Sequence, residues 1–152
     1  MSREPLETPD PRDIAGYPFV DEQILRFADQ DVMHHVNNVV FASLFETGRI
    51  SFWRVLGLFP WPTDQGLMLV RVAVDYMRQL HYPGTVRIAS RIRRVGTASV
   101  SLRQALFNET GECCALAETV SAHAIYAEGR STPIPERLKQ ILESAMATGE
   151  ST

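Results

Sequence analysis

The stretch FADQDVMHHVNNVVF, Phe27 to Phe41, gathers two aspartates, two adjacent histidines and two adjacent asparagines where a β-like segment meets a helix. From Asn38 onward Phe41, Phe45, Gly48, Phe52, Val55 and Leu56 recur at helical spacing, while Ser43, Glu46, Thr47 and Arg54 fall on other faces. Gly57 and Pro60 stop the helix. An asparagine just ahead of such a pattern caps first-turn N–H groups that have no intrahelical acceptor. One asparagine suffices for that, so the joint holds more polar groups than a helix start needs.

Working outward, Phe19 to Phe27 reads as a first strand. Downstream come four β segments, about Gly66 to Leu80, Thr85 to Val95, Thr97 to Asn108 and Glu112 to Ala127. Val72, Val74 and Tyr76 alternate there with Arg71, Ala73 and Asp75. Turns fall at Tyr82-Pro83-Gly84, at Gly96 and between Asn108 and Gly111, and such short links favour antiparallel neighbours. Thr132-Pro133-Ile134-Pro135 ends the sheet region and leads into a short helix, Glu136 to about Met146. The predicted class is α+β: a five-stranded antiparallel sheet wrapped around one long helix, with one sheet face left open. Residues 1–18, with four of the nine prolines, are expected to form a flexible arm, 19–146 a single domain, and 147–152 a polar tail.

A chain of 152 residues supports one core. Its net charge of −3 gives no general attraction for nucleic acid or membrane, so an anionic ligand needs a local basic patch. No apolar run is long enough to span a bilayer, and MSREPLETPDPRD lacks the basic and apolar blocks of a signal peptide. The expected address is cytoplasmic. Cys113 and Cys114, the only cysteines, are neighbours in a strand and point to opposite faces, which suits neither a disulfide framework nor a metal pair.

At the polar joint, amides beyond the cap sit at the positive end of the helix dipole, a site for an anion or a polarised carbonyl oxygen. Asp29 and Asp31 supply carboxylates nearby, and a carboxylate facing such amides can serve as nucleophile or general base beside an oxyanion site. The same residue types also serve as plain turn and cap chemistry. A metal site built from Asp29, Asp31, His34 and His35 is a further alternative, although adjacent histidines rarely converge on one ion. His81 and His123 read as structural or surface histidines. Arg87, Arg91, Arg93, Arg94 and Arg103 form the clearest basic feature, either a solvated strand face or a phosphate contact.

RFADQDVMHHVNNVVFASLFETGR, Arg26 to Arg49, resembles the motif of the 4-hydroxybenzoyl-CoA thioesterase-like branch of the hotdog-fold superfamily. That motif runs from an aromatic through D-x-D and H-V-N-N to an aromatic and E-x-x-R on the helix. The likeness continues in VAVDYMRQLHYPGTVRIASRIRRVGTASVSLRQALFN and TPIPERL. It implies hydrolysis of acyl-CoA thioesters, or sometimes acyl carrier protein thioesters, with no metal or other cofactor. By position Asp31 resembles the catalytic carboxylate, acting as nucleophile through a mixed anhydride or as general base. The backbone N–H of Asn38 matches the donor that polarises the thioester carbonyl. Asn37, His35, Glu46 and Arg49 match positions that hold loop and helix together.

Two departures stand out. His34 occupies the place that usually holds glycine before H-V-N-N, which implies either a narrower loop or an added polar contact near the acyl sulfur. Where some members carry basic CoA-contacting residues this chain has Gly96-Thr97-Ala98, leaving Arg93, Arg94 and Ser99 as the nearby candidates for substrate contact. The resemblance further implies a homodimer or homotetramer with sites between subunits. Phe52, Trp53, Phe59, Trp61 and Met68 are candidate acyl-pocket residues, with core packing as the alternative. The expected activity is an acyl-CoA thioesterase. A non-catalytic acyl-thioester binding module is the alternative, and the H-F-P-G-type segment of hotdog dehydratases is not visible.

Overall fold

The computed structural model describes residues 9–150. In chain order these form β1 (Phe19–Ile24), α1 (Asn38–Val55), β2 (Gln65–Tyr76), β3 (Thr85–Val95), β4 (Ser99–Phe107), β5 (Cys113–Ile125), β6 (Arg130–Ser131) and α2 (Glu136–Glu150). The strands pair antiparallel in the order β1-β3-β4-β5-β2, with β6 on β5. The fold is the expected α+β hotdog arrangement of a curled sheet around one long helix, plus a two-residue sixth strand that sequence periodicity is too short to reveal. A left-handed turn at Gly129, φ +63°, brings β6 back onto β5.

The core follows from the two periodicities. Phe41, Leu44 and Phe45 on α1 meet Val86, Ile88 and Leu106 at one end of the sheet. Phe52 and Trp53 meet Ile92, Val100 and Leu102 at the other end, where Leu142 of α2 closes the cluster. Gly48 lets helix and sheet touch: a Cβ there would lie 2.4 Å from Ile88 Cγ2. Burying each such apolar side chain contributes about 1.5–3 kcal/mol.

Three boundaries differ from the sequence reading. β1 ends at Ile24 because Phe27–Asp29 winds into a short 3-10 turn. β2 ends at Tyr76 because the N–H groups of Met77 and Arg78 both donate to the Cys114 carbonyl, so Met77 to Leu80 leaves the ladder. α2 runs on through Glu150, so most of the expected tail is helical, while residues 151–152 lie outside the described residues.

Of the expected arm, residues 1–8 also lie outside the described residues, but the rest is packed. Tyr17 is buried with Ala89, Ala105 and Phe107 on the sheet face away from α1, and its hydroxyl donates to the Pro11 carbonyl at 2.6 Å. The Arg91 guanidinium lies 5.6 Å from the centre of its ring. The face expected to be open is therefore covered in part by the chain's own N-terminal segment. Its small residues, Ala89 and Ala105, leave room for the aromatic ring.

Candidate active site

Asp29 and Asp31 part company at once. The Asp29 carboxylate is buried and spent on Arg26: Oδ2 accepts the Arg26 backbone N–H at 2.7 Å, and Oδ1 accepts from the guanidinium at 2.8 and 3.1 Å. That arrangement caps the 3-10 turn and leaves no oxygen for chemistry. Asp31 instead opens a tight turn. Its carbonyl accepts from the His34 N–H at 3.0 Å, and its own N–H donates to the His35 carbonyl at 3.1 Å. Oδ1 accepts from the Met33 N–H at 2.8 Å, while Oδ2 has no partner among the described residues. The half-exposed carboxylate is thus oriented by one oxygen and keeps the other.

His34 closes this turn at φ +62°, in the left-handed region that glycine enters without penalty. The residue at the position where glycine is usual therefore adopts the backbone a glycine would. A bridge between Gln30 and Val36 makes the whole loop a miniature hairpin. Val36 is buried and donates to the Leu80 carbonyl at 2.8 Å, and Asn37 donates to the Asp29 carbonyl at 2.9 Å. These bonds fix the loop against the segment leaving β2 and aim it into α1.

At the start of α1 the Asn37 side chain accepts from the Val39 N–H at 2.8 Å, and its carbonyl accepts from Val40 and Phe41. The N–H of Asn38 alone in this first turn has no acceptor among the described residues. Asn38 lines a cleft of about 210 Å³ together with His35, Phe41, Tyr76 and Met77. The Tyr76 hydroxyl donates to the Asn38 carbonyl at 3.4 Å, and its ring meets Phe41 edge to face. The cleft thus offers one free backbone donor, at the positive end of an 18-residue helix, beside an aromatic wall. Sequence reasoning missed Tyr76, whose only local signal is a place at the end of a strand.

The remaining candidates are dispersed. Asp31 and His34 border the cleft in sequence without being among its lining residues. His35 and His81 rings stack edge to face at 6.5 Å, with His81 Nδ1 3.4 Å from the His34 carbonyl. Arg49 is buried two turns or more along α1, where it donates to Gln104 Oε1 at 3.3 Å, and burial pushes its guanidinium below the ordinary value while Glu46 opposes the shift. Gln104 in turn donates to the Phe45 carbonyl and to Ser90, tying helix to sheet. Glu46 itself is exposed.

Arg93, Arg94 and Ser99 lie at the end of the sheet that packs on the C-terminal half of α1. Phe52, which packs on that end, stands 14 residues along α1 from Asn38, so at about 1.5 Å per residue roughly 21 Å of helix separates the two within one subunit. Phe52 and Trp53 are core residues stacked on each other, whereas Trp61 borders a separate cavity and Met68 is exposed. Burial pushes the Cys113 thiol up to about 11, which disfavours the thiolate a nucleophile needs. Among the described residues no three His, Cys, Asp or Glu side chains converge as metal ligands, and no helix is long and apolar enough to cross a membrane.

Comparison with known proteins gives this geometry a family. Residues 25–142 match the profile of the Thioesterase-like superfamily. A curated relative, the uncharacterized protein YsmA of Bacillus subtilis strain 168, is 25% identical over 127 residues, covering 84% of this chain and 86% of its own. Among solved structures, the PA5185 protein of Pseudomonas aeruginosa superposes with a TM-score of 0.79 at 26% identity, covering 88% of this chain and 96% of that one. A thioesterase from Thermus thermophilus, solved with coenzyme A and zinc, superposes with a TM-score of 0.75 at 26% identity, covering 87% and 97%. The family match spans the hairpin, the capped helix and every strand after β1: the chain belongs to the thioesterase-like superfamily of hotdog-fold proteins.

Proposed function

We propose that the protein is an acyl-CoA thioesterase of the 4-hydroxybenzoyl-CoA thioesterase-like kind, with Asp31 as its catalytic carboxylate. The observation that carries this reading is the unclaimed N–H of Asn38, the one first-turn donor of α1 that Asn37 leaves free, opening on a cleft. A thioester carbonyl seated there gains negative charge on oxygen as its carbon is attacked, and a preorganised amide at a helix N-terminus stabilises that charge. Asp31 Oδ2 either attacks the carbonyl carbon, expelling CoA as thiolate and leaving a mixed anhydride for water to open, or it takes the proton of an attacking water. Both routes end in free acid and CoA. The Thermus relative solved with coenzyme A supports a CoA-type substrate; an acyl carrier protein thioester is the alternative donor.

Given the separation of Arg93, Arg94 and Ser99 from Asn38, we infer that they meet the CoA bound at Asn38 of a second subunit rather than of their own. We therefore place the active unit as a homodimer, or a homotetramer built from it, and the exposed edge of β2 supports that placement. CoA release from aromatic and from short, medium and long acyl-CoAs tests the activity, and failure on all of them, with acyl-CoA still bound, favours a binding module. Replacing both Arg93 and Arg94 by Ala is expected to raise KM and weaken its salt dependence while kcat holds.

A further inference from the structure

A second cavity, of about 360 Å³, opens at the opposite end of α1 from Asn38. The turn after α1, the start of β2 and the first turns of α2 enclose it. Leu58, Trp61 and Leu138 supply apolar walls, Gln65, His123 and Arg137 supply the polar groups, and no carboxylate is among the lining residues. This is the composition of a small-molecule site: mostly apolar, with a few convergent polar groups that fix one end of a ligand.

His123 decides which end. Its ring is only 2% exposed, and Nδ1 lies 2.9 Å from the hydroxyl of Thr132, itself buried. β6 sets that pair, because its return onto β5 lets the Thr132 N–H donate to the His123 carbonyl at 2.8 Å. The Thr132 hydroxyl has no hydrogen-bond partner other than Nδ1 among the described residues, and the tautomer of the ring sets which of the two donates. With the hydroxyl as donor, the ring's second nitrogen, Nε2, is left to donate. Nε2 has no partner among the described residues, and His123 is one of the residues that line the cavity. Pro135, Arg137 and Leu138 also line it, so the N-terminus of the 15-residue α2 opens there as well. The Arg137 guanidinium and the positive end of α2 favour negative charge, against the single carboxylate of that first turn, Glu136, which is not among the lining residues, and the walls favour hydrocarbon.

We propose that this cavity is a second ligand site, separate from the Asn38 cleft, for an organic monocarboxylate with an apolar body. Its carboxylate meets Arg137 and His123 Nε2, and its body lies against Trp61 and Leu138. The site stands on this cavity alone and does not depend on thioester hydrolysis. If that activity holds, the ligand belongs to the chemical class the reaction releases, which makes the cavity a place for a product acid to act on the enzyme.

The test titrates the full chain with octanoate and phenylacetate, and with octanol as the neutral counterpart, by calorimetry and by tryptophan fluorescence. Trp61 borders the cavity, whereas the other tryptophan, Trp53, is buried in the core. The expected result is saturable binding of an acid, with octanol at least about tenfold weaker. Arg137→Ala, a change at an exposed position, should weaken the acid by at least about tenfold with an unchanged melting temperature in the absence of ligand. Asp31→Asn should leave acid affinity unchanged. Absence of saturation by about 10 mM acid, a regime of negligible affinity, overturns the proposal. So does equal affinity in Arg137→Ala, or affinity changed in Asp31→Asn, since removing that negative charge alters acid binding only if the acid sits in the thioester cleft.

Discussion

At the scale of single residues, two aspartates of the same type, two positions apart, have opposite fates, and the difference lies in their neighbours. Asp29 is three residues from Arg26 and is consumed by it, whereas Asp31 turns a corner and keeps one oxygen. The capping role of Asn37 was legible in the sequence because cap chemistry is local. Tyr76 was not, because it reaches Asn38 from 38 residues away. His34 is a special case: the family resemblance marks it as standing where glycine is usual, and φ +62° gives the physical reason for that preference. An L-residue there costs about 1–2 kcal/mol, partly offset by glycine's greater freedom in the unfolded chain. His34→Gly is therefore expected to stabilise the protein by roughly 0.5–1 kcal/mol, raising Tm by about 1–4 °C, and His34→Val to lower it, as read by thermal unfolding.

At the scale of elements, α1 begins where the asparagine pair says it should, and its apolar stripe meets the sheet face chosen by strand alternation. Element ends were less legible, because hydrogen bonds from elsewhere in the chain set them. Cys114 ends β2 by accepting from two successive N–H groups, and Arg26 with Asp29 ends β1 by nucleating a turn. The close approach of α1 to β3 depends on Gly48, which the sequence shows only as a small residue on the apolar stripe. Gly48→Ala gains helix propensity of about 1 kcal/mol but sets its methyl against the branched Cβ of Ile88, 2.9 Å away, in a packed core. Overpacking of this kind costs about 1–3 kcal/mol, so net destabilisation of up to about 2 kcal/mol is expected, seen as a lower urea midpoint at unchanged m-value. Pairing it with Ile88→Val should restore part of the loss.

At the scale of the whole molecule, β2 ends the sheet on one side with no strand beyond it among the described residues, and Met68, Leu69, Val70 and Val72 along it are exposed. Leu69 and Val72 pair with the buried Ser121 and Thr119, so they lie on the sheet face that α1 covers elsewhere. A long, apolar sheet edge left bare invites a further strand. A second copy, added edge to edge, would cover these residues and bring a second set of Arg93 and Arg94 into the assembly. Light scattering is expected to show a dimer or tetramer, and Leu69→Lys with Val72→Lys to shift it toward monomer with loss of kcat/KM. A wild-type monomer that is fully active at assay concentration contradicts this picture. The sequence alone implied self-association only through resemblance, because no local pattern distinguishes an edge strand from a central one when both alternate.

The central claim is that Asp31 performs the chemistry beside the free amide of Asn38, and a single substitution tests it most directly. Asp31→Asn keeps the shape and the oxygen that accepts from Met33, but it removes the charge and basicity that either route to hydrolysis requires. With acyl-CoA as substrate, kcat is predicted to fall by at least about 10²-fold while acyl-CoA binding is largely kept. Asp29→Asn belongs in the same experiment as a control for folding, since its carboxylate only holds Arg26. Turnover of acyl-CoA by Asp31→Asn at the wild-type rate would contradict the assignment, and the polar joint would then be a capped helix start.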